Sequence, residues 1–370
     1  MKKDYIYLPE VIIDTHCHGR DMEQSYKTTI NQTLLEAFAS GIDITFFMPN
    51  PQPPIDNIPT LKLCIGKAKE AQKRNGLRHE QKFFFGITDD NLKECDEALQ
   101  YDEVVGLKRY PKSRKGKTVT TGSIGIMYKK TRLAGMKLVS KYNKVQAEHC
   151  SNPAINKTEG DSIRAIIADV QESIELAEKV PGVKITICHV PCMQVAELIL
   201  SAQQKGLKIA IEICPHYLVF SGDGYNWNPK LHPVFYWCYN NLREKKHLDY
   251  LRLLLSTAYD NRLIFIGSDN APHTRTEKLE SAKKGKPIGG LPSNRHLVPT
   301  VITLAEINSW THRQIARLIS WNAADFYGIR VPRELVRHAI EFQKDTGSYN
   351  NGIIENPWSH LKLWYPTGKE

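Results

Sequence analysis

Eight short runs rich in β-branched and aromatic residues, separated by longer stretches of helical period, constrain the fold of this 370-residue chain more than any other feature. The runs are Val11 to Thr15, Ile44 to Met48, Lys82 to Ile87, Glu103 to Leu107, Lys144 to Glu148, Val183 to Cys188, Leu207 to Ile213 and Arg262 to Gly267. Between them, Thr28 to Ser40, Leu61 to Arg74, Ile163 to Lys179, Gln194 to Lys205 and Lys245 to Thr257 repeat apolar residues at spacings of three and four. Such alternation reads as successive βα units on a parallel sheet. Eight units predict a closed (β/α)8 barrel, whose working residues stand at the C-terminal ends of the strands. An open doubly wound sheet would instead gather function at one crevice where strand order reverses. The barrel is expected over residues 1–338, with 339–370 as a C-terminal extension packed on it. Within that extension the strand-like Leu361 to Tyr365 is expected to pair with Tyr5 to Leu8 and seal the barrel bottom.

Composition narrows the function classes. No apolar stretch approaches the roughly 18 residues of a membrane-spanning helix, and Met1 to Glu10 lacks the apolar core of a secretory signal, so no membrane role and a cytoplasmic location are expected. The eight cysteines are scattered without the dense spacing of a disulfide scaffold and read as buried, reduced thiols. The net charge of +10 comes from lysines and arginines interspersed with acids, which does not predict a nucleic-acid partner. The densest basic stretch, Lys112 to Lys117, is either a solvated loop or a means of drawing in an anionic substrate.

The chemistry-bearing residues recur at the run ends. In His16-Cys17-His18, positions i and i+2 project from one face of a strand, so both imidazoles can reach one metal ion while Cys17 points away. Lys108, His149, His189 and Asp269 each close another run. Imidazoles and a carboxylate without thiolate favour zinc or a similar divalent ion, and open coordination positions make such a site catalytic. The lysine is unusual. As a buried neutral amine it can add carbon dioxide to form a carbamate, an anionic group able to bridge two ions about 3.5–4 Å apart. The plain readings compete: a histidine beside an apolar run is usually a core or surface residue, Lys108 reads also as an ion-paired barrel lysine, and Asn50 reads also as a turn former before Pro51. Recurrence at five run ends favours the metal reading for the set. His216 is expected to pack behind the site. His79, His232, His247, His296, His312, His338 and His360 are expected at the surface, and Glu148 and Glu212 are expected to face the helix layer.

The succession His16-x-His18-x-Arg20, Met48-Pro49-Asn50, Pro53-Pro54, Lys108 before Tyr110-Pro111, His149, His189 and Gly267-Ser268-Asp269-x-Ala271-Pro272-His273 resembles the dihydroorotases of the amidohydrolase superfamily. It is most similar to their short, barrel-only bacterial type, from about residue 11 to Gly328. The resemblance implies reversible cyclisation of N-carbamoyl-L-aspartate to dihydroorotate, in pyrimidine biosynthesis, on two Zn2+ bridged by carboxylated Lys108. His16 and His18 would hold one ion, His149 and His189 the other, and Asp269 would complete the first site and act as catalytic base, then acid. Arg20, Asn50 and His273 would hold the substrate carboxylate, for which the arginine fork is suited. Tyr239 would contact the pyrimidine ring, in a segment from Trp237 to Arg243 that replaces a proline-containing stretch. A homodimer is also implied. Two departures stand out: Arg109 occupies a position usually held by leucine, and the closing loop offers only Thr120 and Thr121 as counterparts of the family's threonines. The alternatives are another cyclic-amide hydrolase (hydantoinase, dihydropyrimidinase or allantoinase), whose neutral substrates would not need Arg20, and a non-catalytic subunit supporting a partner such as aspartate transcarbamoylase, which would be expected to lose ligands that this chain keeps.

Overall fold

The computed structural model describes residues 7–113, 124–257, 260–337, 341–346 and 353–367. After a short first strand, β1 (Tyr7–Pro9), the chain lays down eight strands: β2 (Ile13–Cys17), β3 (Ile44–Phe47), β4 (Lys82–Gly86), β5 (Val104–Arg109), β6 (Val145–Glu148), β7 (Lys184–Ile187), β8 (Lys208–Ile213) and β9 (Ile264–Ile266). They pair in parallel and in chain order from β2 to β9, each within two residues of an expected run. Helices cover the outside, and their starts are written locally. Thr29 and Gln32 form a capping box before Ile30–Ala39, and the Asn57 and Ser162 side chains accept backbone N–H groups at the starts of Ile58–Asn75 and Ile163–Ala177.

Alternation along each strand builds two apolar layers. Ile185 and Ile187 of β7, with Ile209, Ile211 and Ile213 of β8, pack under the helices, while Phe46, Phe84, Ala147, Ala210 and Phe265 fill the lumen. A register shift between Phe83 and Phe84 lets Val105 face the lumen while Leu107, two residues on, packs under the helices. Gly106 follows it, pressed so closely on β6 that a Cβ would lie 1.8 Å from the Val145 carbonyl oxygen.

The floor differs from expectation. Of the expected Leu361 to Tyr365 run, Lys362 to Tyr365 lies in β12 (Lys362–Thr367), which pairs antiparallel with β11 (Glu341–Thr346), whereas β1 pairs with β10 (Leu335–Arg337); Tyr5 and Ile6 lie outside the described residues. The lumen is plugged by the helix Asn322–Tyr327. Its Phe326 carbonyl accepts from Lys184 Nζ at 3.0 Å, and the Tyr327 hydroxyl shares a 2.8 Å hydrogen bond with Thr186 Oγ1. Both rings, Phe326 and Tyr327, are buried in the apolar cluster of the lumen. All eight cysteines are buried free thiols, as expected. Among the described residues no helix is long and apolar enough to cross a membrane.

Between β9 and β2 there is no strand ladder among the described residues, only a bridge between Cys17 and Asn270. The seam is completed by His18 N–H donating to Asn270 O at 2.9 Å and by Ser268, whose N–H and Oγ donate to the Asp14 carboxylate at 2.7 and 2.5 Å.

Candidate active site

The strand ends converge as the barrel geometry requires. His16 and His18 leave β2 on one face, and their Nε2 atoms stand 3.3 and 3.1 Å from Asp269 Oδ1, beyond the end of β9. Both Nδ1 atoms are engaged behind them. His16 Nδ1 lies 2.6 Å from Glu212 Oε1, and His18 Nδ1 lies 2.5 Å from Asn50 Oδ1. A carboxylate and an amide oxygen accept, so a proton sits on each Nδ1, and each Nε2, when unprotonated, turns its lone pair toward the Asp269 oxygen. Three acceptors aimed at one point need a proton or a cation among them. Burial works against charge on His16, but Glu212 and Asp269 outweigh it and push its pKa up to about 10. Burial dominates at His18 and brings it down to about 4.

Across the cavity, His149 Nδ1 and His189 Nε2 face each other at 3.0 Å. Burial, reinforced by Lys108, holds His149 at about 3, and burial with His149 beside it holds His189 well below the ordinary histidine value. These are neutral imidazoles whose facing nitrogens can share one proton. His189 and Asp269 both have left-handed backbones, φ +43° and +45°, a conformation that non-glycine residues adopt at a cost and that here aims their side chains inward. Lys108 reaches the same space from β5, its Nζ 2.9 Å from Cys188 Sγ. Burial disfavours its charge, but the Cys188 sulfur, the Tyr110 oxygen and the Glu212 carboxylate prevail and leave its pKa above the lysine norm.

The cavity wall includes His16, His18, Arg20, Asn50, His149, His189, Tyr239 and Asp269. Arg20 is buried, with Nη2 3.1 Å from His273 Nε2 and no partner for Nε. Among the described residues no carboxylate forms an ion pair with it. His273 stands behind Arg20 and is braced by Lys27 Nζ at 3.2 Å from its Nδ1, while Lys27 pairs with Glu277 at 2.9 Å. Tyr239 packs against Gly289, where a Cβ would lie 2.4 Å from the ring.

No protein-family profile matches the chain. A dihydroorotase of Ruminiclostridium cellulolyticum is 27% identical over 346 residues, covering 88% of this chain and 74% of that one. One from Lactobacillus delbrueckii subsp. bulgaricus is 25% identical over 385 residues, covering 96% and 84%. The chain is a relative of the dihydroorotases. It spans 61% of the length of another such relative, from Endomicrobium trichonymphae, at 27% identity over 72% of its own length. Among solved structures it shares the fold of Saccharomyces cerevisiae dihydroorotase in complex with 5-fluoroorotic acid (TM-score 0.76, 20% identity, 98% of both chains). The fold of Arthrobacter aurescens L-hydantoinase is similar too (TM-score 0.80, 16% identity, 98% of this chain and 83% of that one).

This dihydroorotase relative departs from the sequence reading at several side chains. Glu212 faces the lumen and His16, not the helix layer, because Ile209, Ile211 and Ile213 occupy the outward positions of β8. Glu148 does face the helices, as does Arg109, whose guanidinium turns away from the cavity toward Asp169. His247 and His296 are buried, not exposed; His296 stacks on Trp358 with ring centroids 4.7 Å apart. His216 is fully buried, and its ring can approach Asp269 together with Cys214, with ligand atoms within 4.8 Å of one another. Cys188 beside Lys108 was not anticipated; its alternation with Thr186, which shares the lumen face, is the signal for it. Thr120, Thr121 and His338 lie outside the described residues.

Proposed function

We propose that this chain is a dihydroorotase that interconverts N-carbamoyl-L-aspartate and dihydroorotate, with two zinc ions held by the strand-end residues. The observation that carries the reading is a buried arginine without a carboxylate partner on the wall of the cavity where four imidazoles and Asp269 meet. The donor set fits the metal. His16, His18 and Asp269 form a group whose ligand atoms lie within 4.8 Å of one another, and His149 and His189 present facing nitrogens. Carboxylated Lys108 would serve both. Bound there, the ions would supply Lewis acidity toward an amide carbonyl and lower the pKa of water.

The chain's own groups supply the rest. Asp269 Oδ1 stands at the point on which Nε2 of His16 and Nε2 of His18 converge. A carboxylate placed there would take a proton from water and return it to the departing ring nitrogen. Glu212 and Asn50 each engage the Nδ1 side of a ring, which leaves Nε2 of His16 and His18 as the atoms that a metal ion would take in place of a proton. Arg20, braced by His273, would pair with the substrate carboxylate through two nitrogens, and Tyr239 would bound one edge of the ring. Neutral hydantoins or dihydrouracil would leave this buried cation without its anion, which favours dihydroorotate over the other cyclic amides. The reading also carries a cytoplasmic homodimer, with residues 1–338 as the catalytic unit and 339–370 as its extension. The test is hydrolysis of dihydroorotate with metal quantified before and after chelation. Activity should vanish on chelation, return with zinc, and fall about 100-fold or more in Asp269→Asn. Full activity in Asp269→Asn would refute the assignment.

A further inference from the structure

Two of the strand-end residues have charged neighbours on the reverse side of the barrel wall: Arg109 follows Lys108, and Glu148 precedes His149. Alternation sends both outward, under the helices Lys129–Lys141 and Ile163–Ala177. There they meet Arg132 and Asp169. Arg109 Nη1 donates to Asp169 Oδ2 at 2.6 Å and to the His149 carbonyl at 3.3 Å. The same Oδ2 accepts the Ser151 N–H at 2.8 Å. Arg132 Nη1 donates to Asp169 Oδ1 at 2.9 Å and its Nε to Glu148 Oε1 at 3.1 Å. All four residues are at most 5% exposed.

Burying four charges is costly, and apolar residues of similar volume would hold a helix to a strand at least as well. Stability is therefore a poor reason for the cluster. What it does that an apolar layer does not is grip the backbone on both sides of the β6 exit, at the His149 carbonyl and the Ser151 N–H. One carboxylate oxygen ties that exit to Arg109, and so to β5 beside Lys108. The opposite half of the cavity is fixed by other groups: Glu212, Asn50, Asp14 and Ser268.

We infer that Asp169 is a positioning residue for the half of the site formed by His149 and His189, acting through the backbone at the end of β6. This rests on the metal reading proposed above. The test is titration of the metal-free protein with zinc against a chromophoric chelator, which resolves the two equivalents. In Asp169→Asn one equivalent should weaken tenfold or more while the other stays within about twofold. Adding His149→Asn, which removes the first equivalent, should make the remaining affinity insensitive to Asp169→Asn. Arg109→Leu, which spares the Ser151 and Arg132 contacts, should weaken the same equivalent to a smaller degree and is the decisive variant if Asp169→Asn does not fold. Equal weakening of both equivalents, or no change in either, would overturn the inference. A wild-type chain that binds fewer than two ions would overturn the metal reading itself, and this inference with it.

Discussion

Replacing Arg20 by methionine separates the proposed substrate from its neutral analogues. The guanidinium is 3% exposed, its nearest partner is the neutral ring of His273, and burial lowers its pKa despite help from Tyr110 and Asp269. Such a group gains most when an anion arrives. Truncating one member of a buried, hydrogen-bonded charge pair costs about 2–5 kcal/mol, which corresponds to a loss of about 30-fold to several thousandfold in kcat/KM for dihydroorotate. Dihydrouracil has no carboxylate to lose, so its much slower turnover should change by less than about threefold. Folding should not suffer, since methionine has a similar length and removes a buried cation that lacks an acidic partner. The assay is initial-rate ring opening of both substrates, with thermal unfolding alongside. A parallel loss on both substrates would mean that Arg20 acts through the metal site, and an unchanged ratio would refute its role in carboxylate recognition.

Glu212→Gln keeps a hydrogen-bond acceptor for His16 but removes its charge, and zinc affinity at that half of the cavity should fall about 10- to 100-fold in a competition titration. Asp169 is lowered to about 2 because Arg109 and Arg132 overcome burial. Relative to the protonated acid, its ionised form should favour the folded state by about 2 kcal/mol above pH 3.8, a difference lost as pH falls through 2, so Asp169→Asn should flatten the acid limb of a stability profile. Burial brings Lys278 down from 10.5 to about 7. The unfolded chain then binds a proton that the native one does not between those values, so stability should rise with pH across that window, and Lys278→Met should remove the slope in denaturant midpoints. Tyr327→Ala should empty part of the lumen floor and lower stability by about 3–5 kcal/mol in urea unfolding, with the zinc equivalents retained.

Most of the architecture was legible because βα alternation is a repeated, local signal: all eight barrel strands fall on the expected runs. The strand-end residues were legible for the same reason, since a barrel turns equivalent local positions into one place. Glu212 was misread although the pattern held the answer. With isoleucines at 209, 211 and 213, the intervening glutamate has to share the lumen face with Ala210. The role of Arg109 was open because its partner lies 60 residues away on a helix, where no spacing rule reaches. The tail was mispaired because β10, β11 and β12 are short edge strands whose partners depend on tertiary packing, and hydrophobic pattern alone leaves such choices open.

The seam between the first and last barrel strands has a consequence for endurance. Where neighbouring strands elsewhere are zipped by backbone ladders, this junction depends on a few side-chain ties and the single Cys17 to Asn270 bridge. His16 and His18 stand on one bank and Asp269 on the other. A cation shared by both banks would fasten the ring like a clasp, so heat resistance should track metal loading and the first opening of the apo-protein should begin here.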